Sequence, residues 1–227
     1  MIIMKNPVLC LLFAMMVVAA CGKGTDPKNA TPPEGAVNLG LSVFWATCNI
    51  GANDPAEYGD FFAWGELEPK TEYTWENYRF RKEGNSDQTL VITKYNSIES
   101  HGPVDGKSAL EPEDDVAHVR LGGKWRIPTA AEFKELIDSC DWTWTNRKGI
   151  IGYNVKSRVN GKSIFLPSTG YIFQEGLHGE EYGGYYWMAS THATTSSKAQ
   201  RLFFTPKLQN VGLYYRCLGQ PVRPVSD

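Results

Sequence analysis

Tyr153-Asn154-Val155-Lys156-Ser157-Arg158-Val159-Asn160-Gly161-Lys162-Ser163-Ile164-Phe165-Leu166 carries the clearest antiparallel-sheet signal in the chain. Two β-like runs flank Asn160-Gly161, the pair best suited to a type I′ turn, in which both central residues need positive φ. The run therefore predicts a hairpin with strands over 153–159 and 162–166. Upstream, Thr129-Ala130-Ala131-Glu132 has the form of a capping box: the threonine hydroxyl accepts from the amide three residues on, and the glutamate reaches back. Phe133, Leu136 and Ile137 then fall at i, i+3 and i+4, which predicts a helix over about 130–139 with one face on a core. Downstream lie three further β-like segments, 184–190, 200–205 and 212–218, with 220–225 closing the sheet. One helix followed by antiparallel strands and long loops argues for an α+β domain rather than a doubly wound sheet.

Towards the N-terminus the pattern changes. Val37, Leu39, Leu41, Val43 and Trp45 alternate, which predicts a first strand at about 37–47. Residues 50–78 are rich in Gly, Asp, Pro and aromatics without sustained period, so a long loop region pinned by aromatic side chains is expected. Residues 81–110 are polar and turn-rich and are expected to form surface loops. At 111–119 a short helical turn is expected, with Glu111, Glu113, Asp114 and Asp115 complementing the positive end of its dipole.

The first 21 residues carry an address. Lys5 precedes an apolar run from Pro7 to Ala20, ending Val18-Ala19-Ala20-Cys21. Such a run is too short for about 30 Å of hydrocarbon and fits a cleaved export signal over 1–20. Its small-residue ending suits bacterial lipoprotein processing, with lipidation at Cys21 and a membrane-anchored product in the cell envelope, at the outer membrane. Residues 21–36 hold Gly, Pro and polar groups and no large apolar side chain, so they are expected to form a tether, and 37–227 the folded domain.

Composition narrows the partners. The chain has 23 Lys and Arg against 25 Asp and Glu, a formal charge of −2, and its basic residues are scattered. A nucleic-acid partner is therefore not expected, because polyanion binding needs clustered cations. Once Cys10 leaves with the signal and Cys21 carries lipid, Cys48, Cys140 and Cys217 remain. An oxidising envelope permits a Cys48–Cys140 disulfide, and three buried free thiols fit the sequence equally well.

Enzymatic signatures are missing: His-Glu-x-x-His, Gly-x-Ser-x-Gly, the phosphate-cradling glycine loop and the dinucleotide fingerprint are all absent. No cofactor, no metal and no catalytic residue is expected. Asp114, Asp115 and His118 come nearest to ligand spacing, but an acidic helix start with a solvated histidine is the preferred reading of them. The acid pairs Glu66 with Glu68 and Glu180 with Glu181 are ordinary loop neighbours. The text that stands out is polar and aromatic and lies near the C-terminus. Ser190, His192, Thr194, Gln200, Arg201, Asn210, Tyr214, Tyr215 and Arg216 are candidate ligand-binding residues, a mix suited to a protein or glycan. Strand alternation sends about half of such side chains inward.

Several strings in order resemble one family. Val37 to Ala52, Tyr58-Gly59-Asp60, Phe62-Ala63-Trp64-Gly65-Glu66, Gly122 to Thr129, Cys140-Asp141-Trp142-Thr143-Trp144, Gly184-Tyr185-Tyr186-Trp187 and Val222-Arg223-Pro224-Val225 look like the FISUMP family of major paralogous domains. The resemblance spans about residue 36 to the end. It implies a cell-envelope domain with a C-type-lectin-like fold, related to formylglycine-generating enzymes, whose C-terminal strands form a substitution-tolerant surface at 190–200 and 210–217. The sequence departs from the pattern at Met188-Ala189, where Ser-Ser is usual. The sulfatase-activating enzymes of the related fold need a cysteine pair; only Cys217 lies in this region, so that activity is not carried over.

Overall fold

The computed structural model describes residues 30–82 and 90–227. The expected export signal, Cys21 and most of the tether lie outside the described residues. Residues 30–35, at the end of the expected tether, are held by hydrogen bonds: Asn38 donates to the Ala30 carbonyl, and Thr47 donates from both its amide and its hydroxyl to the Gly35 carbonyl. Among the described residues no helix is long and apolar enough to cross a membrane.

In chain order the elements are β1 (Ala36–Val37), β2 (Phe44–Ala46), α1 (Val116–Leu121), β3 (Trp125–Arg126), α2 (Ala130–Ser139), β4 (Cys140–Arg147), β5 (Ile150–Ser157), β6 (Ser163–Pro167), β7 (Tyr171–Phe173), β8 (Gly176–His178), β9 (Gly184–His192), β10 (Thr195–Thr205), β11 (Leu208–Tyr215) and β12 (Val225–Ser226). They form sheets ordered β1-β2-β12-β3, β11-β10-β9 and β4-β5-β6, with β7-β8 as a separate ribbon. Every strand ladder is antiparallel. The architecture is thus antiparallel sheet with two helices and long loops.

The helix α2 forms where its local signals place it. Thr129 Oγ1 accepts from the Glu132 amide at 3.3 Å, and Glu132 Oε2 accepts from the Thr129 amide at 2.7 Å. Arg126 grips the same carboxylate with both guanidinium nitrogens. Phe133 and Leu136 are buried in one core, and Ile137 packs against it. The expected turn at 111–119 divides instead into a 3-10 turn, Pro112–Asp114, and α1. Asp115 separates them because its carboxylate is an N-cap, accepting from the Ala117, His118 and Ile127 amides.

Four expectations need correction. The strand expected at 37–47 is broken into β1 and β2: Asn38 Oδ1 takes the Gly40 amide at 2.7 Å and Gly40 adopts φ +72°, so the chain reverses. Leu39, Leu41, Val43 and Trp45 still all point into one core, so the alternation reported burial rather than extended backbone. The hairpin exists, but its Asn160-Gly161 turn is not type I′, since only Gly161 has positive φ. Ser157 pairs with Lys162 across a four-residue loop, held by Ser157 Oγ accepting from the Val159 amide and by Asn160 donating to the Asn38 carbonyl. The hairpin is also the second half of a three-stranded meander, because β4 pairs with β5 along its whole length. Residues 90–105 are not all surface: Ile92, Tyr95 and Asn96 are fully buried. Tyr95 holds φ +60°, costly for a bulky residue, because both its amide and that of Asn96 are clamped by Asp105 and its hydroxyl by Asp114.

Cys48, Cys140 and Cys217 are free thiols, so the Cys48–Cys140 bridge that the sequence permits is not formed. Cys140 opens β4 inside the α2 core, whereas Cys48 is half-buried beside a surface cavity.

Two cores sit on either side of the β9-β10-β11 sheet. Tyr186, Met188, Leu202 and Phe204 face the α2 core, and Trp187 and Ala199 face the core built from the 50–80 loops. Where regular ladders are missing, arginine supplies donors. Arg223 is fully buried and donates to the Asn49 side chain and to the Ala46, Thr47 and Phe165 carbonyls at 2.8–3.1 Å.

Thr129→Ala removes the cap acceptor and should lower unfolding free energy by about 1 kcal/mol in urea titration. Burial raises the Glu132 carboxyl, but the Arg126 and Thr129 hydrogen bonds outweigh it and hold the group below its ordinary 4.5. Its contribution is present above that value and is lost as pH falls through the folded-state pKa. Glu132→Gln should therefore show a shallower loss of stability on acidification than the wild-type chain.

Candidate functional site

The β10–β11 ladder runs without interruption from Lys198↔Tyr215 to Thr205↔Leu208, which fixes the faces of both strands. Leu202 and Phe204, with Val211, turn to the α2 core. Ala199, Arg201 and Phe203 share the other face with Tyr214, Gly212 and Asn210. Gly212 lies opposite Arg201, and a Cβ there would sit 3.1 Å from the Phe203 ring.

On this face the Arg201 guanidinium lies 3.8 Å from the Tyr214 ring centroid and 4.5 Å from that of Tyr185. Tyr171, from β7, stands edge-on to both tyrosines at 5.5 and 5.4 Å. Arg201 is only 8% exposed. Its Nε and Nη1 are sealed from solvent and have no hydrogen-bond partner, and no carboxylate pairs with it among the described residues. Burial lowers Arg201 to about 10, partly offset by the surrounding tyrosines, so the group stays cationic at neutral pH.

Tyr171 and Tyr214 are also walls of a groove of about 370 Å³, completed by Trp75, Phe173, Tyr215 and the Cys217-Leu218 segment. Trp75 meets Tyr215 edge-on at 6.4 Å, and Lys198 Nζ sits 5.0 Å from the Tyr215 ring centroid. The lining contains no acidic residue. A larger cavity, about 600 Å³, lies beside Cys48, Asn49, Arg120 and Trp125; it shares no lining residue with this face.

The nine candidate residues are not brought together. Arg201, Asn210 and Tyr214 share the face described, and Tyr215 is exposed at its end. Gln200 turns to the opposite side with Leu213. Ser190 is covered by the 108–110 segment, which bridges to it through Ala109. His192 closes the β9–β10 tip, its ring nitrogen within 3.1 Å of Thr194 Oγ1. Arg216 is excluded from any binding role because it is fully buried. It donates to Tyr78 Oη and to the Lys94, Tyr95 and Ser196 carbonyls at 2.8–3.2 Å, among the rings of Trp64, Tyr78, Phe80 and Tyr95. Strand alternation fails there because the chain turns at Tyr215, whose carbonyl accepts from the Leu218 amide.

Sequence reading missed Trp75, Tyr171 and Phe173 as groove walls. The Tyr171-Ile172-Phe173 run ahead of Gln174-Glu175-Gly176 is a short hairpin signal, but Trp75 reaches the groove through a loop without period.

Other chemistry is used up structurally. Glu111, Glu113 and Asp114 bring their carboxylates together, but Lys94 Nζ lies 2.6, 3.3 and 2.5 Å from them and supplies the cation. With Asp115 capping α1, the Asp114, Asp115 and His118 set is not a ligand set. Glu66 pairs with Lys70 at 2.8 Å and Glu68 with Arg120 at 3.0 Å, facing different partners. Burial pushes the Cys217 thiol up to about 12 and that of Cys140 to about 11. Neither is a thiolate at neutral pH.

No protein-family profile, no curated protein and no solved structure matches the chain.

Arg216→Met leaves three carbonyls without donors and should lower unfolding free energy by about 3 kcal/mol or more, with Arg216→Lys failing to restore it. In the native protein a thiol reagent should modify Cys48 well before Cys140 and Cys217, read by peptide mass mapping.

Proposed function

We propose that this chain is a FISUMP-type envelope lipoprotein whose lectin-like domain binds an external glycan or protein, without turnover. The observation that carries the reading is the acid-free aromatic groove beside β11, flanked by the cations of Arg201 and Lys198. Rigid tyrosine and tryptophan rings offer contact area at low entropic cost, and their hydroxyls add donors and acceptors. The export pattern ahead of Cys21 and the polar tether support an anchored, outward-reaching placement.

A structural or assembly role in the envelope is the second reading, favoured by the exposed Phe173, Leu177 and Tyr182 on and beside the β7–β8 ribbon. A divergent formylglycine-generating activity is disfavoured, since Cys217 is 2% exposed and its thiol stays protonated.

On a glycan array and in pull-downs from envelope extracts, Tyr214→Ala and Tyr215→Ala should each weaken the detected interaction about tenfold or more. Tyr215→Ala should leave the thermal midpoint nearly unchanged, because the ring is 45% exposed. Binding unaffected by both changes contradicts the groove, and co-purification in a fixed complex with no free ligand favours the assembly role.

A further inference from the structure

A buried arginine is normally matched by a carboxylate or by carbonyl acceptors, because its unpaired donors lose hydration and gain nothing in return. Arg216 and Arg223 obey this rule through backbone carbonyls and side-chain oxygens. Arg201 does not. Among the described residues its Nε and Nη1 are sealed without an acceptor, and Nη2 is not among the sealed atoms. The ring faces of Tyr214 and Tyr185 hold the guanidinium in a fixed orientation, and such stacking stabilises the cation without using any N–H.

The surroundings select the missing group. Lys198, over Tyr215, likewise lacks an ion-pair partner among the described residues, and the groove that Tyr214 and Tyr215 help to line carries no acid. Charge complementarity therefore calls for an anionic ligand. The walls are largely aromatic, from Trp75, Tyr171, Phe173, Tyr214 and Tyr215, with the Cys217-Leu218 segment. These suit the C–H face and hydroxyls of a sugar ring better than the branched side chains of a peptide.

Building on the binding role proposed above, we infer that Arg201 is the receptor for the carboxylate of an acidic glycan, with a uronic- or sialic-acid unit packed against the Tyr214 and Tyr171 rings and its carboxylate accepting from Nη2. The site is held in readiness by three tyrosines and completed by the ligand's charge. A planar fork suits a carboxylate better than it suits a neutral hydroxyl.

The test uses the full domain with its tether on an array of uronic- and sialic-acid glycans, alongside the same glycans with carboxylates converted to methyl esters. Acidic glycans should bind at least about tenfold more tightly than their esters, and Arg201→Met should abolish that preference. Arg201→Met should also leave the urea midpoint unchanged or raised, since a sealed, unpaired donor set is replaced by an apolar chain of similar length. If Arg201→Met is instead destabilising and leaves the preference intact, Arg201 is a structural plug and the inference is overturned. If esters and acids bind alike and Tyr214→Ala still weakens both, the inference falls while the groove's binding role stands. If no glycan binds and a peptide with a free carboxylate does so through Arg201, the glycan assignment is wrong. If nothing binds, both readings fall.

Discussion

The guanidinium groups of Arg216 and Arg223 do for this molecule what ladders do for a regular sheet protein. The described residues between 47 and 110 have only isolated bridges and no strand ladder, so their buried carbonyls need donors from elsewhere. Arg216 reaches Lys94, Tyr95 and Ser196 carbonyls at once, and so fastens the 94–95 loop to the start of β10. Arg223 ties the end of β2 to the middle of β6. Neither has a carboxylate partner; aromatic rings around Arg216 offset part of the cost of taking its charge out of water. The strained Tyr95 backbone persists because Asp105, Asp114 and Arg216 together determine it.

The candidate binding face is a product of the same arrangement. With the 50–80 loops held against β9 and β10, Trp75 is carried to the end of β11 and Tyr171 to the edge of Tyr214. The result is a groove whose walls come from three separate segments, the Trp75 loop, β7 and the end of β11. Arg201, two residues beyond Ala199 on β10, receives the opposite treatment from Arg216: it is enclosed by rings and given no acceptor. In a fold that satisfies the guanidinium groups of Arg216 and Arg223, this contrast is the basis for proposing Arg201 as a receptor.

What could be read from the sequence depended on how local its cause is. The capping box at Thr129 and Glu132, and the stripe of Phe133 and Leu136, involve neighbours within one turn, and α2 begins and ends where they place it. The hairpin was legible as two runs around a turn, although the turn type was set by Ser157 and by distant Asn38. Alternation from Val37 to Trp45 correctly marked a buried face, but Gly40 bends the backbone that carries it. β4 was missed because Asp141, Thr143 and Thr145 alternate with Trp142 and Trp144, none of which is fully buried, and the strand shows no strong apolar run. At the site, Arg201, Asn210 and Tyr214 follow from strand period, whereas Arg216 does not, because it lies one residue past the last paired position. Its burial depends on Tyr78 and Tyr95, more than a hundred residues away, which no local pattern encodes.

Buried arginines should lock the irregular loops into the same cooperative unit as the sheets, and so make the groove rigid. Native-state hydrogen exchange measures this directly, through the amides of Phe62, Trp64, Tyr73 and Ile92, which donate to Gln220, Arg216, Gln174 and His101 carbonyls across loops. These amides should exchange only through global unfolding, with the same opening free energy as the β10 amides of Leu202 and Phe204. Loop amides that exchange through a separate, much lower-energy opening, while β10 stays protected, would contradict it.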